Sequence, residues 1–195
     1  MIVGCVINAS MRPRRRPLST TRMRQCCWPR LAVTDWKRRS PRSRVTASSP
    51  ALARRLACLR GISTLTGIAL AVEIGDWQRF TGASIGAYLG LVPSEHSSGQ
   101  SRSQGPITKT GNTHVRRLLI EAAWHHRTPY RPSVVLQRRW DQADAAARAR
   151  GHAGNQRLHS RWVTHNLRNK RGVVANVAIA RELAGWCWSL AVLPD

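Results

Sequence analysis

Acidic residues are the scarcest functional class in this chain. Nine Asp and Glu stand against 32 Lys and Arg in 195 residues, a formal net charge of +23. So lopsided a chain repels itself when compact and draws a polyanion, nucleic acid foremost. Long hydrophobic runs are missing too: Arg, Glu, Asp or Gly interrupts every candidate for a membrane span, so no membrane partner is expected. The five cysteines (Cys5, Cys26, Cys27, Cys58 and Cys187) lack zinc-ligand spacing. The opening Met1–Val6 has neither a basic lead nor a proper apolar core, so no signal peptide is expected. Reduced thiols and a cytoplasmic, nucleoid-associated location follow as expectations. No segment alternates convincingly as a strand.

The charge is spread over two unlike halves. Residues 1–54 hold 13 Lys and Arg and one acid, Asp35. Arg12–Pro17, Trp36–Pro41 and Thr46–Pro50 are rich in Arg, Pro and Ser without an apolar period, and prolines at 13, 17, 29, 41 and 50 bar a long helix. This half reads as a disordered basic segment: an arm that tracks phosphate, or non-native sequence such as a frame-shift product. The remaining 19 basic and 8 acidic residues fall in 55–195, so that half is basic by itself. It is expected to be one all-α, compact multi-helix domain.

Leu52, Leu56 and Leu59 set a first helical spacing, punctuated by Gly61. Leu65, Ile68, Ala69, Val72 and Ile74 predict a second helix, and residues 81–91 a third that stops at Pro93. From Asn112 or Thr113 as N-cap, Val115, Leu118, Leu119, Ala122 and Ala123 share a face while Arg116 and Arg117 point elsewhere. Further helices are expected over 133–150, about 156–167, and 173–192. The first pair meets at Arg60-Gly61-Ile62-Ser63, which resembles a helix-hairpin-helix turn. Such a turn can grip a DNA phosphate through its amides; an ordinary helix–helix turn fits equally well.

Between the third and fourth helices lies a polar loop, Pro93-Ser94-Glu95-His96-Ser97-Ser98-Gly99, followed by Gly105–Asn112. A serine oxygen can attack phosphorus, and Gly-freed amides with Arg102 and Lys109 can hold the charge that develops. By residue type alone, Ser-Ser-Gly is more often a plain turn. His96 could move a proton beside the serines, though a local polar role is the simpler reading. His125-His126 point about 100° apart on a helix and chelate poorly, so they read as helix surface or nucleic-acid contacts. Trp186 and Trp188, in an apolar helix, read as core. Arg138-Arg139 and residues 166–171 read as a surface that contacts a nucleic-acid backbone.

The order of motifs carries more than any one of them. Leu59–Ile62, Glu73–Asp76, Tyr88–Pro93, Ser97–Gly99, Ile107–Asn112, Arg116–Ala123 and Val173–Ala180 together resemble the C-terminal domain of the bridge-RNA-guided, serine-dependent insertion-sequence transposases. The resemblance runs from about Arg54 to Leu193. It implies DNA transposition in which a loop serine attacks a DNA phosphodiester. It also implies a structured guide RNA and an N-terminal RuvC-like domain whose carboxylates bind a divalent metal such as Mg. The serine before Gly maps to Ser98, with Ser97 as the fallback. Arg60, Gly61, Arg102, Lys109, Asn112, Arg116 and Arg117 are the candidate nucleic-acid contacts; Arg102, Lys109 and Arg116 match basic positions of the motif and are assigned by chemistry.

The first 54 residues contain no set of carboxylates for that metal, and the acids further on show no paired pattern suited to it. The expectation is therefore a truncated copy without a metal or cofactor of its own. It would act, if at all, in a homo-oligomer or with a full-length transposase. The alternatives are a non-catalytic nucleic-acid-binding remnant and a product with no cellular function.

Overall fold

The computed structural model describes residues 49–98, 101 and 103–194. Its body is helical: α1 (Ser49–Leu56), α2 (Thr64–Ile74), α3 (Ser84–Tyr88), α4 (Thr113–Ala123), α5 (Val134–Trp140), α6 (Ala145–Leu167) and α7 (Gly172–Ala191). Among the described residues no helix is long and apolar enough to cross a membrane. The expected boundary at 54–55 falls inside α1, whose Ala53 and Leu56 are buried in the core. Residues 1–48, where the basic arm was expected, lie outside the described residues.

The core gathers around α7. Ile179, Leu183, Cys187 and Leu190 recur at three- and four-residue spacing on its buried face, and α1, α3, α4 and α6 all pack against it. Short side chains let the helices come close. A Cβ at Gly67 would lie 2.9 Å from the Ala53 carbonyl oxygen of α1, and one at Gly151 would lie 2.6 Å from the Cys58 Cβ.

Those contacts explain one departure from the sequence reading. Residues 151–155, left between two expected helices, lie inside the single 23-residue α6. Gly151 and Gly154 serve close packing there, against Cys58 and against Leu59 and Trp186. The break falls earlier, where the Asp144 side chain caps α6 by accepting from the Ala147 amide at 2.6 Å. The cap at the other expected start is as read: Asn112 Oδ1 accepts from the Val115 amide at 3.0 Å.

The second departure is a short antiparallel hairpin where a loop was expected. Strands β1 (Pro93–Glu95) and β2 (Gln104–Ile107) pair Pro93 with Ile107 and Glu95 with Gln104, with an irregularity between. Its residues escape the alternation test because the strands are three and four residues long and only half buried. The hairpin is anchored at its base, where Thr108 donates to the Val92 carbonyl and Lys109 to the Gly90 carbonyl.

Candidate serine hairpin and nucleic-acid interface

The hairpin lifts the two serines away from the core. His96 donates its amide to the Ser103 carbonyl at 2.9 Å, and beyond it Ser98 and Ser101 exchange backbone bonds at 3.2 and 3.1 Å. Ser97 and Ser98 are exposed at this tip. Ser98 thus has its backbone fixed in the ladder. Ser97 has its side chain fixed: its hydroxyl donates to Glu95 Oε1 at 2.8 Å. Alternate residues of an extended strand share a face, so a Glu two positions before a Ser meets it. That spacing was legible in the sequence, where Glu95 was weighed only as a metal ligand. Gly99 and Arg102 lie outside the described residues.

Among the described residues, the candidate cations do not gather at this tip. About five residues of extended chain, ~16 Å, separate it from the hairpin base. Lys109 sits near the base, exposed, with a left-handed φ of 56°. Asn112, beyond it, caps α4 and also donates to Glu73 Oε2 at 2.8 Å. That hydrogen bond holds the Glu73 carboxyl below its ordinary pKa.

Arg116, expected to point away from the apolar face of α4, turns inward and is only 7% exposed. Its Nη1 donates to the carbonyls of Leu89 at 3.0 Å and Thr110 at 2.7 Å. The reason is the α3–α4 joint, where Gly90 and Gly111 bring backbone against backbone and leave carbonyls without helical partners. Arg117 is exposed and bonds Glu121 at 2.9 Å, which raises its pKa.

The helix-hairpin-helix-like turn is present, and it faces inward. Gly61 has a φ of +86°, and a Cβ there would stand 2.5 Å from the Ala122 carbonyl oxygen on α4. Buried Asn155 of α6 clamps the turn: its Oδ1 accepts from the Arg60 amide at 2.8 Å, and its Nδ2 donates to the Cys58 carbonyl at 3.1 Å. The Arg60 guanidinium reaches the other way. It donates to the carbonyls of Pro129 at 3.0 Å and Thr128 at 2.7 Å, and also to that of His125. Burial lowers its pKa below the ordinary value. Nothing in the sequence singled out Asn155, one of two adjacent amides in a polar stretch.

Two further readings change. His126 is fully buried rather than on the surface, while His125 stays exposed. Burial, and next the charge of Arg60, hold the His126 pKa down to about 3. Arg139, placed with Arg138 on a backbone-contacting surface, donates to the Ile62 carbonyl at 2.9 Å. Among the described residues no three His, Cys, Asp or Glu side chains come together in a way that could hold a metal ion.

These features occur within a stretch with known counterparts. The chain is 37% identical over 137 residues to transposase y4qE of Sinorhizobium fredii, covering 70% of this chain and 35% of that protein. It is 32% identical over 138 residues to a family 20 transposase of Pseudomonas aeruginosa, covering 70% and 34%. It is 30% identical over 137 residues to the transposase for insertion sequence element IS1328 of Yersinia enterocolitica, again covering 70% and 34%. The chain thus spans about a third of the length of the curated relatives it matches. Residues 53–134, from α1 through the serine hairpin to the start of α5, match the transposase IS116/IS110/IS902 family, and the chain carries a domain of that family.

Proposed function

We propose that this chain is the serine-bearing part of a DNA transposase, which binds DNA through its basic surface and presents Ser98 to a phosphodiester within a complete enzyme. The observation that carries the reading is the hairpin, which holds two serine hydroxyls at an exposed tip, clear of the core. In the proposed step, Oγ of Ser98 bonds phosphorus as one phosphoester bond breaks. The strand stays linked to the protein as a phosphoserine ester, and the serine proton ends on the departing strand's oxygen. Ser97, its hydroxyl turned to Glu95, is the reserve nucleophile.

A divalent metal has no fitting set of ligands among the described residues, so no step here runs through one. It would belong to the part of the longer relatives that this chain does not span. A structured RNA guide and a homo-oligomer or full-length transposase complete the proposal, with this copy inactive alone.

Covalent trapping on labelled element-end DNA tests it, with and without a full-length relative and its RNA. A denaturation-resistant adduct on this chain, lost in Ser98→Ala and kept in Ser97→Ala, is the expected result. The reverse pattern moves the role to Ser97. No adduct under either condition, with salt-sensitive DNA binding intact, leaves a non-catalytic binder.

A further inference from the structure

One concavity of the described residues is remote from the serines in character. A cleft of about 1110 Å³ opens between β2 and α7. Pro93, Pro106 and Ile107 form its hairpin wall; Val174 and Val177 line the helix wall. Val173 and Val174 stand 66% and 56% exposed, unusual for adjacent aliphatics in a helix that is otherwise the centre of the core. Aliphatic surface collected in a concavity marks a site for another molecule. The charges around it say which kind.

Arg150, Arg161 and Arg181 line the cleft with a single acid, Glu182. That carboxylate is already taken, accepting from Arg157 at 3.2 Å and Arg161 at 3.3 Å. Arg150 and Arg181 have no acidic partner among the described residues. The cleft therefore asks for carboxylates set beside aliphatic groups. Nucleic acid is a poorer fit, because its phosphates could use the arginines but nothing in its backbone would cover the valine and proline walls. The two indoles of the cleft also lie against Gly154 and Gly82, which cover ring surface a base would need.

The chain's own sequence is poorly matched to the cleft in charge. Residues 1–54 carry Asp35 against 13 Lys and Arg and would be repelled. A second copy is a poor occupant because residues 55–195 carry 19 Lys and Arg against 8 acids and would bring like charge to the cleft. The matched relatives, in contrast, are about three times longer than the stretch this chain shares with them.

We infer that the cleft docks a polypeptide segment of a full-length transposase, with aliphatic side chains on the valine–proline walls and carboxylates on Arg150 and Arg181. The inference rests on the reading that this chain works with a longer transposase, but its test does not pass through DNA.

The test uses the purified full chain and fluorescent 20-residue peptides tiled across the part of the Sinorhizobium relative outside the matched stretch. Binding is read by anisotropy. A tile combining aliphatic and acidic residues is expected to bind. Arg150→Glu, Arg181→Glu and Val174→Asp should each weaken it at least tenfold. Arg127→Glu, an equal charge change outside the cleft lining, should leave it unchanged. Replacing the tile's acids by Lys should restore binding to the Arg181→Glu variant. The inference is overturned if no tile outbinds its scrambled version, or if Arg127→Glu weakens binding as much as the cleft variants. It also fails if Val174→Asp instead abolishes oligonucleotide binding or self-association, which would make the cleft a nucleic-acid groove or a copy–copy interface. Loss of the serine adduct with peptide docking intact would count against the catalytic reading alone.

Discussion

Nη1 of Arg116 donates to the Leu89 carbonyl at 3.0 Å, so a residue that reads as a phosphate contact pins the end of α3 to the start of α4. The same nitrogen holds the Thr110 carbonyl at 2.7 Å. Arg116→Ala leaves both oxygens in a joint that water barely reaches. A loss of about 3 kcal/mol in urea unfolding is expected. Lysine should not recover it, since one ammonium cannot reproduce the guanidinium fork. Arg117→Ala, on the exposed side of the same helix, should leave the unfolding midpoint unchanged.

Gly61 and Gly75 separate two costs that a glycine can hide. Both have positive φ, +86° and +69°. A Cβ on Gly75 meets nothing within 4 Å, so Gly75→Ala should cost only the strain of its φ 69°, ψ −103° backbone, about 2 kcal/mol. At Gly61 the new carbon would also strike the Ala122 backbone at 2.5 Å. Gly61→Ala should cost about 3 kcal/mol, because the rigid main chain of α4 must move. Urea midpoints of the two variants make the comparison, and equal losses would show that the turn is not seated on α4.

Much of this was legible in the sequence, and the misses share a cause. The helix over 113–123 was plain because one apolar stripe repeats at helical spacing, whereas over 64–74 the helix was plain but its face was not: Leu65, Ile68 and Val72 are exposed, and Gly67, Leu70, Ala71 and Ile74 are buried. The Asn112 cap was plain because capping is local. Gly151 and Gly154 misled because their meaning lies in Cys58 and Trp186, far along the chain. Arg116 and Arg60 misled for the same reason: the carbonyls they serve exist only once α3, α4 and the 125–130 segment have come together. In the candidate site, the serines in a polar loop were readable, whereas the distance from the tip to Lys109 depended on a hairpin too short to announce itself.

Acid should loosen this domain well above the carboxylate range. His126 is buried, with Arg60, His125 and His159 as its charged or titratable neighbours, and its pKa falls from 6.5 to about 3. The folded state therefore rejects a proton that the unfolded chain accepts. The contribution is fully present above pH 6.5 and is lost as pH falls from there toward 3. Between pH 6.5 and 5 the loss is about 2 kcal/mol. His165, also depressed by burial, adds in the same direction. Glu73 and Asp144 are held low by hydrogen bonds and should matter only in stronger acid. Urea unfolding at pH 7 and pH 5 should show the drop, and His126→Leu should flatten most of it.

Salt dependence distinguishes cations that meet phosphate from cations that hold the fold. Each Lys or Arg that neutralises a phosphate adds about 0.9 to the steepness of log K against log salt on duplex DNA. Lys109 is exposed at the hairpin base with its backbone tied down by Gly90. Lys109→Ala should lower affinity and reduce the slope by roughly 0.9 while leaving the unfolding midpoint in place. Arg60 spends its guanidinium on three carbonyls, so Arg60→Ala should instead lower stability and leave the slope of the folded protein alone. Fluorescence titration at several salt concentrations, with unfolding measured on the same samples, reads both numbers. A slope that falls for Arg60→Ala but not for Lys109→Ala would move the DNA from the hairpin base to the α1–α2 turn.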